Sequence, residues 1–400
     1  MVRSHYNQKA RLKEFARKEG NNWKLTMVDV KNKEIGSRNI KSAFYEKGLY
    51  SDELEKELSY KVEKPGMKIF GKVYKSENTV ILTRKEVEMM KKYLLIQRYR
   101  NPPNIATYSP NYEKDIFHYN KKFENKGESY KEYVCRMMQE ILDYSWDDLC
   151  KSNNEEVRNN VLLTNSCATL FVRSNFEFVI NDPGYVTERH EFYFNDGPIT
   201  KKIFKDSLIR EGLNPTDADI EKFLKEHQYH DNFLFYPISS KFGIVTLSEI
   251  WTGLIKTNKP YRYDNNGIVK NDYVFEKIYG EYGLYSEFIM ENYLPCINWY
   301  ESDKLYNVPR EKEAELFSKY KSPDDKYICP IVDLDLHWAQ YLNALTINEA
   351  VNYFAFGNNV DGKISICNYE MERLTASNQE GFKKDLSWID VNGNWDIPLK

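Results

Sequence analysis

The sequence predicts an α+β fold, mainly helical and built around a small mixed β-sheet, with residues 1–400 forming one large domain. Three observations predict it. Hydrophobic residues fill 41% of 400 positions, ample for a sizeable core. Short strand-like runs recur between longer stretches of helical periodicity. The two kinds do not alternate regularly, which argues against a doubly wound parallel sheet.

In chain order, "WKLTMVDV" (23–30) is the first strand-like run, and "MKIFGKVY" (67–74) reads as a second. Thr83 and Glu86 have capping-box spacing and open a helix that reaches Arg100, where Pro102 and Pro103 stop it. Ser129 and Glu132 open another helix, and Pro215 after Asn214 reads as a first-turn proline. "NFEFVI" (175–180), "FLFYPI" (233–238) and "FGIVTL" (242–247) read as strands. "DLHWAQYLNALTINEAVNYF" (335–354) has the longest helical periodicity. Residues 120–131 and 257–272 are polar enough to be loops, and the second is a candidate mobile cover for a site.

Charge and cysteine usage narrow the class. A net charge of −3 argues against a chain coated for bulk nucleic-acid binding. Residues 1–24 depart from that balance, with seven basic residues against Glu14 and Glu19. That segment reads as a solvated basic helix or as a polyanion contact. Six scattered cysteines without a Cys-x-x-Cys pair fit a reducing compartment. With no apolar leader and no run long enough to span a bilayer, a cytoplasmic protein without membrane contact is expected.

Polar residues on apolar faces mark the candidate site. In the helix ending at Arg100, Val87, Met89, Met90, Tyr93, Leu94 and Ile96 share one half of the circumference; Lys85, Glu88, Lys91, Lys92 and Arg98 fall on the other. Gln97 and Arg100 lie within the apolar half. A buried guanidinium needs a carboxylate, carbonyls or an anionic ligand, so Arg100 is either half of an ion pair or a ligand contact. Asp182 is the protein partner expected. Asn343 sits amid the apolar face of its helix and must hydrogen-bond inside the protein or to a ligand. Asp182 ends an aromatic strand face before Pro183 and Gly184, as a turn former or as the acid of a site. His5 is a surface residue or an acid–base group.

Two metal-like strings carry less. "DLDLH" (Asp333, Asp335, His337) precedes a strong helix, where acidic residues favour the dipole. "HQYHD" (His227, His230, Asp231) has ligand spacing and is expected at a charged helix end. No metal and no cofactor is expected.

Taken in order, these motifs resemble the bacterial family known as domain of unknown function 4238. The resemblance rests on His5-Tyr6 followed by Leu12-x-x-Phe15, then Gln97-x-x-Arg100-x-Pro102, Tyr236-Pro237-Ile238-Ser239, and Asn343 with Ala350. It spans nearly the whole chain. Where the family pattern reads Ser-Asp-Asn-Pro, this chain has Ile180-Asn181-Asp182-Pro183, with acid and amide exchanged. The resemblance implies that Asp182 takes the carboxylate role from the next position or that the role is lost. It also implies an acidic residue in the early helix, with Glu63 the candidate and its register open.

The family has no established activity, so the chemistry is an expectation from residue types. Five polar motifs far apart in sequence suggest one shared pocket. Arg100 and the basic N-terminus suit phosphate binding, and His5 oriented by Asp182 suits acid–base catalysis. Gln97 and Asn343 are amides able to read a base or sugar edge, with Tyr6 and Asn181 beside them as binding residues. The expected function is a metal-independent enzyme on a phosphorylated or nucleic-acid substrate: a nuclease or nucleotide hydrolase, as a toxin or phage-defence effector. The alternative is a non-enzymatic sensor of a nucleotide-like ligand, or an interaction protein, using the same pocket.

Overall fold

The computed structural model describes residues 3–5, 7–48, 50–100, 127–150, 168–193, 214–226, 228–247, 326–375 and 384–396, with isolated positions between them. The 257–272 loop, Tyr6 and His227 lie outside the described residues.

The N-terminal region holds β1 (Arg3–His5), α1 (Lys9–Lys13), β2 (Arg17–Glu19), β3 (Asn22–Asp29), β4 (Glu34–Asn39) and β5 (Tyr45–Lys47). β1 pairs with β5. A continuous helical stretch follows: α2 (Asp52–Leu58), a π-helical turn (Ser59–Glu63) and α3 (Lys64–Val73). Pro65 explains the wide turn, because its ring lacks the N–H that a regular helix would use there. β6 (Thr79–Thr83) then leads into α4 (Arg84–Tyr99), whose Thr83–Glu86 capping box is formed.

Next come α5 (Tyr130–Asp143), opened by the Ser129–Glu132 box, α6 (Trp146–Cys150), β7 (Ala168–Arg173), β8 (Ile180–Asn181) and β9 (Val186–Tyr193). They are followed by α7 (Asp217–Glu226), β10 (Gln228–Pro237), β11 (Phe242–Leu247), β12 (Lys326–Asp333), α8 (Leu336–Glu349), β13 (Tyr353–Phe356) and α9 (Asn359–Thr375).

The fold is α+β. One sheet has six strands in the order β6-β12-β7-β11-β10-β9, mixed because β12 and β7 run parallel. Another has β2-β3-β13-β8, with β4 also on β3. The β content therefore exceeds the small sheet expected.

Local differences have physical reasons. Residues 67–74 lie mostly in α3, not in a strand, and Gly66, Ile69, Phe70 and Val73 bury one helical face. Residues 175–180 are largely irregular, and only Ile180 joins a strand, because the segment is buried throughout its second half rather than on alternate residues. Thr216 and Asp219 cap α7 reciprocally, which leaves Pro215 ahead of the cap. The helix predicted over 335–354 stops at Glu349, and its aromatic end becomes β13.

α4 is buried on nearly all sides: Lys91 and Arg98, assigned to its polar half, are 5% and 2% exposed. The basic N-terminus is one short helix among strands rather than a basic helix throughout, and several of its charges are engaged. Arg17 pairs with Glu19 and Asp396, Lys24 with Glu19, and Lys13 lies over the Trp23 ring. No helix among the described residues is long and apolar enough to cross a membrane.

Candidate functional site

Two polar clusters occupy the interior around α4. The first encloses the turn Asn181–Gly184. Its four carbonyls point inward, and each receives a buried side chain. Asn7 donates through Nδ2 to Asn181 O at 2.8 Å and Asp182 O at 3.1 Å. Gln97 donates to Pro183 O at 2.8 Å, and Arg11 donates to Gly184 O. Arg11 also reaches Pro237 O through Nε and Nη2, and Asn7 Oδ1 through Nη1. It is fully buried with carbonyl and amide acceptors, and burial lowers its pKa. Gly184 has φ +75°, and a Cβ there would stand 2.2 Å from Asn7 Oδ1. Only glycine suits that conformation and that close approach.

Asp182 and Asn181 complete this clasp. Asp182 Oδ1 accepts from the Val351 amide; Oδ2 accepts from the amides of Asn352 and Tyr353 and from Asn352 Nδ2. These donors turn the chain between α8 and β13, which is why the helix ends early. Burial pushes the Asp182 carboxyl up to about 6, against the downward pull of the amides. Asn181 closes its own turn by accepting from Gly184 N and donates to Tyr185 O and Thr346 O. Asn343 holds the preceding residues, accepting from Val179 N and donating to Glu177 O and Ser365 Oγ.

The second cluster surrounds Arg100, the residue that caps the C-terminus of α4. Its Nη1 lies 2.6 Å from Glu63 Oε1, and Nη2 lies 3.7 Å from Glu55 Oε2. The guanidinium is 5.9 Å from the centre of the Tyr50 ring. Burial opposes its charge, but Glu63 and Glu55 outweigh burial and raise its pKa. Among the described residues, Nε and Nη2 meet no hydrogen-bond acceptor. The side chain of Arg100 is 2% exposed, whereas those of Glu55 and Glu63 are 18% and 17% exposed, with Glu55 Oε1 itself buried. Glu63 is the last residue of the π-helical turn, a feature frequent at functional sites.

Tyr93 joins the clusters. Its hydroxyl accepts from Gln8 and feels Arg11 and Arg100, yet burial keeps its pKa raised.

The structure thus brings Gln97, Asn181 and Asp182 together and sets Arg100 apart. Asp182, expected as the partner of Arg100, serves backbone amides instead, and Glu63 and Glu55 take its place. His5 is buried rather than on the surface: its Nδ1 donates to Ala43 O at 3.1 Å, and its ring lies near Tyr45. No described contact links His5 to Asp182. In the "DLDLH" string, Asp333 binds Arg173 through both oxygens, Asp335 caps α8 at the Trp338 amide, and His337 is exposed. Among the described residues no three His, Cys, Asp or Glu side chains are grouped to hold a metal.

Sequence reasoning missed Asn7, Gln8, Arg11 and Glu55. Arg11 was hidden in a basic segment. Glu55 and Glu63 escape a regular helical wheel because the π-helical turn shifts their relative angle.

Residues 3–359 match the family model described as protein of unknown function (DUF4238). No curated protein and no solved structure matches the chain.

Proposed function

We propose, for a chain that belongs to the DUF4238 family, a hydrolase of nucleotides that uses Glu55, Glu63 and Arg100 without requiring a metal. The observation carrying this reading is a buried guanidinium whose Nε and Nη2 meet no acceptor among the described residues, set between two partly exposed acidic side chains. Such donors suit a phosphate or ribose oxygen.

The charge balance selects the bond. One cation against two carboxylates disfavours the added negative charge of a phosphoryl transition state. It favours a reaction in which positive charge develops on the sugar. The preferred step is therefore hydrolysis of the glycosidic bond between sugar and base. One carboxylate takes a proton from water as the C–O bond forms. The C–N bond breaks, and its electron pair leaves with the base, which takes up the proton that the carboxylate accepted. The other carboxylate stabilises the cationic sugar.

The test incubates the full chain with ATP, GTP, NAD and single-stranded RNA in EDTA, with products resolved by chromatography. Free base is expected, falling at least about 100-fold in Glu63→Gln while the fold persists. Release of phosphate, or of shortened strands with bases intact, would assign phosphoester chemistry and overturn the glycosidic step. Saturable binding without product would make the protein a sensor.

A further inference from the structure

Gln8 and Arg100 are both buried, and both keep polar atoms that nothing among the described residues answers. Gln8 Nε2 donates to the Tyr93 hydroxyl, which leaves Oε1 as a buried acceptor without a donor. Arg100 has the complementary lack, since Nε and Nη2 are buried donors without an acceptor. Buried polar groups in a folded chain are ordinarily paired, so each of these marks a place where a ligand atom gains by binding.

Tyr93 ties the two ends together. Its hydroxyl is bonded to Gln8, and Arg100 and Glu63 lie close enough to act on its charge. α3 clamps the ring. A Cβ on Gly66 would stand 2.6 Å from Tyr93 Cδ2, and the Phe70 ring meets Tyr93 edge-on at 4.9 Å. The same helix starts directly after the π-helical turn that ends in Glu63, so one element fixes both the ring and the acid. The side chain of Glu63 is 17% exposed, which leaves this side of the group in touch with solvent.

Resting on the reading of Arg100 as part of a nucleotide site, we propose that this group binds the 2′,3′-diol of a ribose. One hydroxyl donates to Gln8 Oε1, and the other accepts from Arg100. The two kinds of unpaired atom choose between sugar and phosphate. A diol offers donors as well as acceptors and carries no charge. A phosphate at neutral pH offers chiefly acceptors. It would answer Arg100, leave Gln8 Oε1 bare and bring negative charge beside Glu63. Deoxyribose lacks one of the two hydroxyls, and inside a strand the 3′ oxygen carries a phosphate with it. The substrate class is therefore a free ribonucleotide, and Gln8 sets the preference for it.

Calorimetric titration of the full chain in the cold with ATP and GTP, with their 2′-deoxy and 3′-deoxy forms, and with inorganic phosphate tests the proposal. Released base is assayed in parallel. A ribonucleotide is expected to bind at least about 10-fold more tightly than either of its deoxy forms, because a missing hydroxyl leaves a buried group unpaired. Gln8→Leu should erase the preference over one deoxy form and keep it over the other, since Gln8 meets a single hydroxyl. A purely structural Gln8 would instead weaken all three ligands together. The parent comparison stands where the Leu variant fails to fold, and Gln8→Met then carries the second test. Equal affinity for ribo and deoxy forms, inorganic phosphate bound as tightly as the ribonucleotides, or no binding would each overturn the diol site. Base released from ribo and deoxy forms alike would keep the hydrolase and sink the diol. Diol-dependent binding without released base would keep the diol and sink the hydrolase.

Discussion

Arg11 and Arg100 are both buried arginines beside Tyr93, yet they are satisfied in opposite ways. Arg11 has carbonyls and an amide, no carboxylate, and all three of its nitrogens engaged. Arg100 has two carboxylates and two nitrogens without an acceptor among the described residues. The first arrangement is closed: every polar group faces another part of the chain, and its neighbour Gly184 leaves no room for a methyl group. The second leaves its acidic side chains partly exposed. A polar motif on an apolar face thus has two outcomes, and the difference lies in whether its hydrogen bonds are spent on backbone. Arg11 positions a turn. Arg100 is the one on which the proposed hydrolysis rests.

The sharpest break of this comparison is Arg11→Ala. It strands the carbonyls of Gly184 and Pro237 and the Oδ1 of Asn7 in a dry interior, and a loss of about 4–6 kcal/mol is expected. Thermal and urea unfolding measure it. Gly184→Ala should follow closely, since positive φ and the overlap with Asn7 add. Loss of either protein's fold, not a selective loss of activity, is the expected signature.

Arg100→Ala should be milder, about 3 kcal/mol, because Glu55 and Glu63 keep some water after the guanidinium is gone. Arg100→Lys retains charge but not the fork. It should hold most of the stability while hydrolysis falls. Equal stability losses at Arg11 and Arg100, with activity tracking stability in both, would erase the distinction between closed and open clusters.

The sequence displayed part of this. Gln97, Arg100, Asp182 and Asn343 stand out as polar residues in apolar patterns, and all are buried. Capping boxes at Thr83 and Ser129 were legible because their bonds span three residues. The identity of partners was not legible. Arg100 meets Glu63 and Glu55 only because a π-helical turn reorients α2 against α3, and Asp182 meets Val351–Tyr353 across 169 residues and more. Periodicity locates a buried polar group; only tertiary structure tells what satisfies it.

A third prediction concerns pH and belongs to the closed cluster alone. The folded carboxyl of Asp182 titrates near 6, above its ordinary value of 3.8. Between those values the folded state holds a proton that the unfolded state has lost. Stability from this group is therefore full below about 4 and declines as pH rises to about 6, by at most about 3 kcal/mol. Urea midpoints from pH 4 to 7 should show that decline, and Asp182→Asn should remove it. A parent and variant with parallel profiles would mean that the four amide donors hold Asp182 ionised throughout.

The smallest effect is expected at a third arginine, which calibrates the other two. Arg173 grips both oxygens of Asp333, at 2.5 and 2.8 Å, in the same bidentate geometry that makes buried pairs strong. Here, however, the side chains are 28% and 65% exposed, and water competes for every bond. Asp333→Asn should therefore change stability by no more than about 1 kcal/mol. The same residue tests the metal reading of "DLDLH". Its carboxylate is directed to Arg173 and that of Asp335 to the Trp338 amide, so a divalent ion would have to break both contacts to gather them. Added zinc or magnesium should leave the melting temperature of parent and variant alike. A metal-dependent rise in the parent, lost in Asp333→Asn, would show that the exposed arginine yields its acid more readily than the geometry implies. The contrast between spent and unspent polar groups would then have to extend to the surface.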